Sequence, residues 1–306
     1  MFAPIKSSEF VVFAAPMAGI SDRPYRKVLR RLNPDLPLLT EMISCHSLVA
    51  AHKNCNRNFD DYAGEGLIGA QIFGADPKLM GEAARILADQ GAKWIDINMG
   101  CPVPKVATRA GAGAFLMRDH KLAGQIIESV VQAAGIPVSI KTRLGWDDGH
   151  LDSGELIRIA ANAGAAWATV HGRTRAQGYS GNADWNRIAD IKRAAAIPIV
   201  FNGDIRGEKD IAAVAALGAD GAMIGRAMLG NPRIFQKHAT GSIKSEIAEH
   251  FQNVLEYYGD RAGVPLFRKH AAWYSAGMPG AAEFRTRVNQ ITDAGKMRVA
   301  IADFFV

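Results

Sequence analysis

Residues 198–225 read PIVFNGDIRGEKDIAAVAALGADGAMIG. Two short apolar runs, PIVFNG (198–203) and GAMIG (221–225), bracket a segment of helical period, GEKDIAAVAALGA. Strand, crossover helix, strand is the unit of a parallel sheet, because parallel neighbours cannot be joined by a tight hairpin. The strand runs are apolar throughout rather than alternating, as strands covered on both faces are.

Working outward, the same unit recurs. VVFAAPM (11–17), PLLTEM (37–42), LIGAQIF (67–73), WIDINM (94–99), PVSIKTR (137–143) and WATVHG (167–172) are further strand candidates. Between them stand helical segments. DRPYRKVLRRL opens with Asp22 as N-cap and Pro24 in its first turn, and DPKLMGEAARILADQGA ends at Gly91, a C-cap glycine. About eight such units fit into about 230 residues, close to the ~250 of a closed (β/α)8 TIM barrel. A doubly wound open sheet is the competing fold. No GxGxxG follows the first strand, and GAGAFL (111–116) has only two of the three glycines, in a loop after the fourth strand.

From about residue 242 the β runs stop. SIKSEIAEHFQNVLEYYGDRAG, PLFRKHAAWYSAG, GAAEFRTRVNQI and DAGKMRVAIADFF all have helical period. The expected organisation is a barrel over 1–241 and a small all-α domain of four helices over 242–306. Within 261–298 stand seven basic residues, Arg261, Arg268, Lys269, Arg285, Arg287, Lys296 and Arg298, against the acids Glu283 and Asp293. Phe267, Trp273, Tyr274 and Phe284 are interleaved with them. The mixture suits a surface that follows a nucleic-acid backbone; equally, the aromatics are core and the cations solvated.

The chain of 306 residues is 48% hydrophobic, enough for a sizeable core, and its formal charge of +6 permits a polyanionic partner without demanding one. Its three cysteines, Cys45, Cys55 and Cys101, make an odd set in a long chain, which argues against a disulfide framework. The start, MFAPIKSSEF, lacks a basic region followed by an apolar stretch and a cleavage site, and FVVFAAPMAGI (10–20) is too short to span a bilayer. A soluble cytoplasmic protein with no membrane association is expected.

In barrel enzymes the active site forms at the C-terminal strand ends. Here those ends carry Pro16, Met17 and Ala18; Glu41; Gln71; Asn98 and Cys101; Lys141 and Arg143; His171 and Arg173; Asn202, Gly203 and Asp204; and Gly225 with Arg226. Converging polar groups cost stability unless something uses them. FNGDIRG and IGRAMLGNP are glycine-rich turns into helices, each with a basic residue, in the two loops where this fold usually binds phosphate. Lys141 could form a Schiff base or stabilise negative charge near a cofactor ring. CHSLVAAHKNC (45–55) has the wrong spacing for the common zinc patterns, so no metal is expected. Cys101, on the turn of DINMGCPVPK (96–105), is either a small buried hydrophobe or a chemical group.

Taken together, APMAGISDRPYR, QIFG, DINMGCP, IKTRLGW, TVHGRTR, NGDI and MIGRAMLGNP resemble the tRNA-dihydrouridine synthase family, in order, across about 220 residues. RKHAAWY and EFRTRVNQI also look like the helical domain of its bacterial B-type branch. The resemblance implies a barrel holding FMN, reduced by NADPH or NADH, with a helical domain that helps seat tRNA; no obligatory protein partner is inferred. It implies hydride transfer from flavin N5 to C6 of a D-loop uracil, and a proton from Cys101 to C5. An ordinary thiol, with a pKa near about 8.5, is mostly protonated at neutral pH and can act as an acid. By matching positions, Pro16, Met17, Ala18, Gln71, Lys141 and His171 are expected at the flavin ring. Asn202, Gly203, Asp204, Gly225 and Arg226 are expected at its phosphate and ribityl chain, and Asn98, Arg143, Arg173 and Tyr179 at the uracil. The target base must leave its stack to reach such a pocket. Two positions depart from the family's pattern: it often has Lys where Arg109 stands and Ser where Gly113 stands. The alternatives are a flavin-dependent barrel reductase of a small molecule (pyrimidine or enoate type), a Schiff-base aldolase, and an RNA-binding module without turnover.

Overall fold

A computed structural model of the chain describes residues 5, 9–54, 62, 64–107, 111–237 and 241–305. The chain forms two compact units, Met1–Ala18 with Pro37–Gly225, and Gly19–Leu36 with Arg226–Val306.

The strands are β1 (Val11–Ala14), β2 (Leu38–Leu39), β3 (Ile43–Ser44), β4 (Ile68–Phe73), β5 (Trp94–Met99), β6 (Val138–Arg143), β7 (Trp167–His171), β8 (Ile199–Asn202) and β9 (Gly221–Ile224). The helices are α1 (Arg23–Leu32), α2 (Cys45–Asn54), α3 (Pro77–Asp89), α4 (Pro104–Ala107), α5 (His120–Ala134), α6 (Ser153–Asn162), α7 (Trp185–Ala194), α8 (Glu208–Ala216), α9 (Ile243–Tyr274), α10 (Ala281–Gln290) and α11 (Ala294–Phe304). All strands of the first unit are parallel, in the order β1-β9-β8-β7-β6-β5-β4-β2, with β3 also on β4. β2 and β3 are two pieces of one stave. Between them Gln71 N–H donates to the Thr40 side-chain oxygen (3.0 Å), interrupting the ladder expected as a single run over 37–42. Ala14 N donates to Pro37 O (3.2 Å) where the first and second staves meet. The result is the (β/α)8 barrel that the repeated strand–helix pattern implies.

The helices start on a repeated device. Asp76, Asp119 and Asp184 each accept from the backbone N–H three residues on, at 2.9–3.0 Å, satisfying donors that a helix start leaves unpaired. Because alternate residues of a strand share a face, the barrel interior is layered. Phe13, Leu39, Trp94, Trp167, Val200 and Met223 make an apolar floor. A Cβ on Gly69 would lie 2.1 Å from the Trp94 ring, so glycine there makes room for the indole. Two residues further along the strands come Gln71, Asp96, Ser139 and Thr169, and beyond them Asn98, Lys141, His171 and Asn202.

The second unit differs from the expected 242–306 domain. It begins at Arg226 and takes in α1, which the local pattern presents as an ordinary crossover helix. Tyr25, Val28, Leu29 and Leu32 bury one face of α1. Tyr258 donates to the Asp22 carboxylate (3.1 Å), and Arg31 pairs with Glu249 (2.7 Å). The core of the unit gathers Ile247, Phe251, Val264, Phe267, Val288 and Met297 among others. α9 breaks at Gly259 (φ 71°, ψ 165°), not at Gly263 or Pro265 as the punctuation suggests. Phe267, Tyr274 and Phe284 are buried, so most of the interleaved aromatics are core, whereas Arg261, Arg287, Lys296 and Arg298 are exposed.

Candidate active site

The polar strand ends form a connected chain. At the centre of β5 lies Asp96, 1% exposed. Its carboxylate accepts from Ser139 Oγ (2.6 Å) and from Gln71 Nε2 (2.7 Å). Gln71 Oε1 accepts from Asn98 Nδ2 (2.9 Å). Asn98 Oδ1 in turn accepts from the backbone N–H groups of Gly100 (3.2 Å) and Cys101 (2.9 Å). The turn that Pro102 and Pro104 mark in the sequence is thus capped by the last inward residue of its own strand. A Cβ on Gly100 would come within 3.1–3.3 Å of backbone atoms of Lys141 and Thr142, so the chain passes close to β6 there. Cys101 is half-buried, and its carbonyl accepts from Ala114 N (3.1 Å), the start of the short helix Gly113–Arg118.

Beside this chain, Lys141 Nζ donates to Asn202 Oδ1 (3.0 Å), while Asn202 Nδ2 donates to Met223 O (2.8 Å). Burial, and next the Arg143 charge, push the Lys141 ammonium down to about 8; Asp96 and Cys101 oppose the shift. Burial pushes the Asp96 carboxyl up to about 6, against the bonds from Gln71 and Ser139 and the Lys141 charge. Near neutral pH the pair therefore carries opposite charges in an enclosed setting.

Arg143 and Arg173 are turned inward. Arg143, 3% exposed, donates to Gly100 O (2.8 Å), Thr174 O (3.0 Å) and Gly178 O (2.8 Å). Arg173, 2% exposed, donates to Ser180 O (3.0 Å), Gly181 O (2.7 Å) and the Asp204 carboxylate (2.6 Å), with Nη1 3.3 Å from His171 Nε2. The guanidiniums expected at a base edge here fasten the loops after β5 and β7. Asp204 is drawn into the same work. Burial pushes its carboxyl up, but Ala183 N–H and Arg173 outweigh this and hold it below the usual range. Its φ of 54° is the one positive value at a non-glycine among the described residues. Next to it, a Cβ on Gly203 would meet the His171 ring at 2.8 Å, so the backbone passes directly over the imidazole.

Of the remaining expected residues, Pro16 and Met17 are half-buried and Ala18 exposed at the end of the first stave. Gly225 ends the first unit, and exposed Arg226 begins the second. Tyr179 is 59% exposed, with the Arg143 guanidinium 5.6 Å from its ring centroid and His171 at 6.2 Å. Asn98 is brought to the mouth, but its carbonyl oxygen serves the turn. Asp96 and Ser139 were absent from the expected set, although an acid inside the apolar run WIDINM was a visible signal. Gly113 has φ 56°, and a Cβ there would lie 2.9 Å from Val106 and 3.1 Å from Cys101 O, so the family's Ser would be strained at this position. Arg109 and Cys55 lie outside the described residues. Cys45 is buried, His46 and His52 are exposed, and no group of three or more His, Cys, Asp or Glu that could hold a metal occurs among the described residues.

The donor set fits a flavin mononucleotide. Gln71, Lys141 and His171 bring an amide, an ammonium and an imidazole to one end of the barrel interior. Such groups suit a ring with a hydrogen-bonding edge that gains negative charge on reduction. Gly225 leaves the backbone of the loop after β9 free of a side chain, as close approach to a phosphate requires, while Gly203 lets the loop after β8 close onto His171.

A family model described as Dihydrouridine synthase (Dus) matches residues 13–304. A probable tRNA-dihydrouridine synthase of Rickettsia prowazekii is 40% identical over 313 residues, covering 96% of this chain and 94% of that protein. tRNA-dihydrouridine synthase B of Xanthomonas axonopodis pv. citri is 40% identical over 309 residues (96% and 92%), and that of Pseudomonas aeruginosa 38% over 305 (95% and 91%). The B-type likeness noted in the helical segments thus extends over almost the whole chain. Matched from within its first strand to the end of its last helix, the chain belongs to the dihydrouridine synthase family.

Proposed function

We propose that the protein is a tRNA-dihydrouridine synthase that reduces the C5=C6 bond of a D-loop uridine, with FMN as cofactor, a nicotinamide as reductant and Cys101 as proton donor. The observation that carries the reading is the anchored turn: the cysteine that follows β5 stands on a loop capped from within the barrel, beside an enclosed cation. Bound FMN supplies the reducing chemistry, hydride to the uracil ring. The chain's own residues do the rest. Cys101 Sγ delivers a proton to C5, neutralising the enolate-like charge that builds on the ring. Lys141, held in place by Asn202, and His171 would hold the cofactor ring and stabilise negative charge on it. Arg143 and Arg173 fix the loops that frame the pocket, and Tyr179 offers an exposed ring against which an unstacked base can lie. The exposed cations of the helical unit favour an RNA over a small molecule, since each can neutralise a phosphate. Among the described residues no helix is long and apolar enough to cross a membrane; a cytoplasmic setting fits the proposed tRNA substrate.

The test is direct. The purified protein should be yellow, or become so with FMN, and should form dihydrouridine in unmodified tRNA, read by nucleoside mass spectrometry. A protein that cannot be loaded with FMN, or a loaded one that leaves tRNA unchanged with either nicotinamide, overturns the proposal.

A further inference from the structure

The middle of β5 holds a carboxylate for which the proposed reaction has no use. Its strand neighbours Ile95 and Ile97 are fully buried, as Asp96 is. Enclosing a carboxylate costs several kcal/mol unless its lone pairs are met, and an apolar residue would avoid that cost. The hydrogen bonds show what the acid does. A side-chain amide has one donor end and one acceptor end, whereas an ionised carboxylate only accepts. Asp96 therefore requires Gln71 to present Nε2 to it and Oε1 away from it. Oε1 then requires Nδ2 of Asn98, which leaves Asn98 Oδ1 facing the N–H groups of Gly100 and Cys101. The other end demands the same polarity, because two N–H donors at the turn need an acceptor. Reversing any link sets donor against donor.

We infer that Asp96 is a positioning residue: its carboxylate sets the polarity of the Gln71–Asn98 amide chain and so anchors the backbone turn that carries Cys101. The inference rests on the proposed function only in taking Cys101 as the proton donor. The holoenzyme is compared with Asp96→Leu, which removes the acceptor without leaving a void, and with Asp96→Asn. The asparagine can still accept from Gln71 if its own Nδ2 donates to Ser139 Oγ. Asp96→Leu should raise amide hydrogen exchange in the peptide spanning residues 98–103 by about tenfold, with the rest of the barrel still protected. It should lower kcat about 10- to 100-fold, as small misplacements of a reacting group do, with KM for tRNA within about threefold. Asp96→Asn should restore both readouts to within about threefold. In a Gln71→Leu background, Asp96→Leu should add no further loss, because residues in one chain are not additive. Wild-type exchange at 98–103 in Asp96→Leu, or fully additive losses in the double variant, overturns the inference. If Asp96→Leu does not fold, Gln71→Leu alone decides. It cuts the chain at its middle link, so unchanged exchange at Gly100 and Cys101 sinks the idea. If the wild-type protein makes no dihydrouridine, the functional reading falls, and the exchange measurement still decides the anchoring.

Discussion

Two sets of buried titratable side chains stand in this molecule, one in each unit. In the barrel, Asp96 is tied by hydrogen bonds through Gln71 and Asn98 to a half-buried turn, and Lys141 is tied to Asn202. In the helical unit, His250 and His270 lie as deep, 0% and 3% exposed, but their neighbours are rings: Tyr25, Phe267, Trp273 and each other, at centroid separations of 4.6–5.7 Å. His250 Nδ1 meets the Tyr274 hydroxyl at 3.0 Å. Burial, with the neighbouring cations, pushes both imidazoles down, His250 well below its ordinary value and His270 to about 3. One environment keeps its charges; the other removes them. Depth of burial alone does not separate a site from packing; the destination of the hydrogen bonds does.

The comparison can be broken most sharply at Cys101. Cys101→Ala should cut dihydrouridine formation by about 10²- to 10⁴-fold, the usual worth of a positioned proton donor. FMN content, read from the visible spectrum, should stay unchanged; near-normal turnover would leave the barrel's polar chain without a chemical end. Next comes pH. Above about 8 Lys141 loses its charge, whereas below about 6 protonated Asp96 still has an oxygen to accept from Gln71 while its hydroxyl donates to Ser139 Oγ, as Asp96→Asn would. Turnover should therefore fall about tenfold per pH unit above about 8 and change by less than about threefold as Asp96 titrates. The helical unit should respond to acid in stability. Between about 3 and 6.5 the unfolded chain binds a proton at residue 270 that the folded chain refuses. Stability should thus fall as pH drops below 6.5, by about 2 kcal/mol at pH 5 from this residue. His270→Phe should flatten the melting-temperature profile over that range. The smallest effect is expected for Tyr274→Phe, which removes a single hydrogen bond from the histidine cluster. A stability loss of about 1 kcal/mol, seen in denaturant melts, with kcat and KM unchanged, would sharpen the contrast.

The barrel was legible because its signal is local. Apolar runs, capping aspartates and strand-end glycines each sit within a few residues of one another. Cys101 stood out for the same reason, on a turn between prolines. What sequence did not disclose was direction and distance. Arg143 and Arg173 announce charge at the mouth, but only the fold shows their donors closing on carbonyls at Gly100, Thr174, Ser180 and Gly181. The segment DRPYRKVLRRL has the caps and period of any crossover helix, and its partners stand more than 200 positions away, among them Met228, whose carbonyl takes the Tyr25 hydroxyl (2.5 Å). Phe267 and Phe284 share a stretch with exposed arginines, yet helical geometry turns them to the opposite face. Asp96 was in plain view within WIDINM. Its meaning depended on Gln71 and Ser139, which come from other strands.

The aromatic floor of the barrel has a kinetic consequence. Trp94, filling the space that Gly69 vacates, and Trp167 beside it stopper one end of the barrel, so all traffic must pass through the other. A reductant and an unstacked uracil would then compete for a single doorway, each able to enter only after the other has left. The proposed chemistry would be divided in time as well as in space: the protein would be charged with electrons in one visit and would spend them in the next.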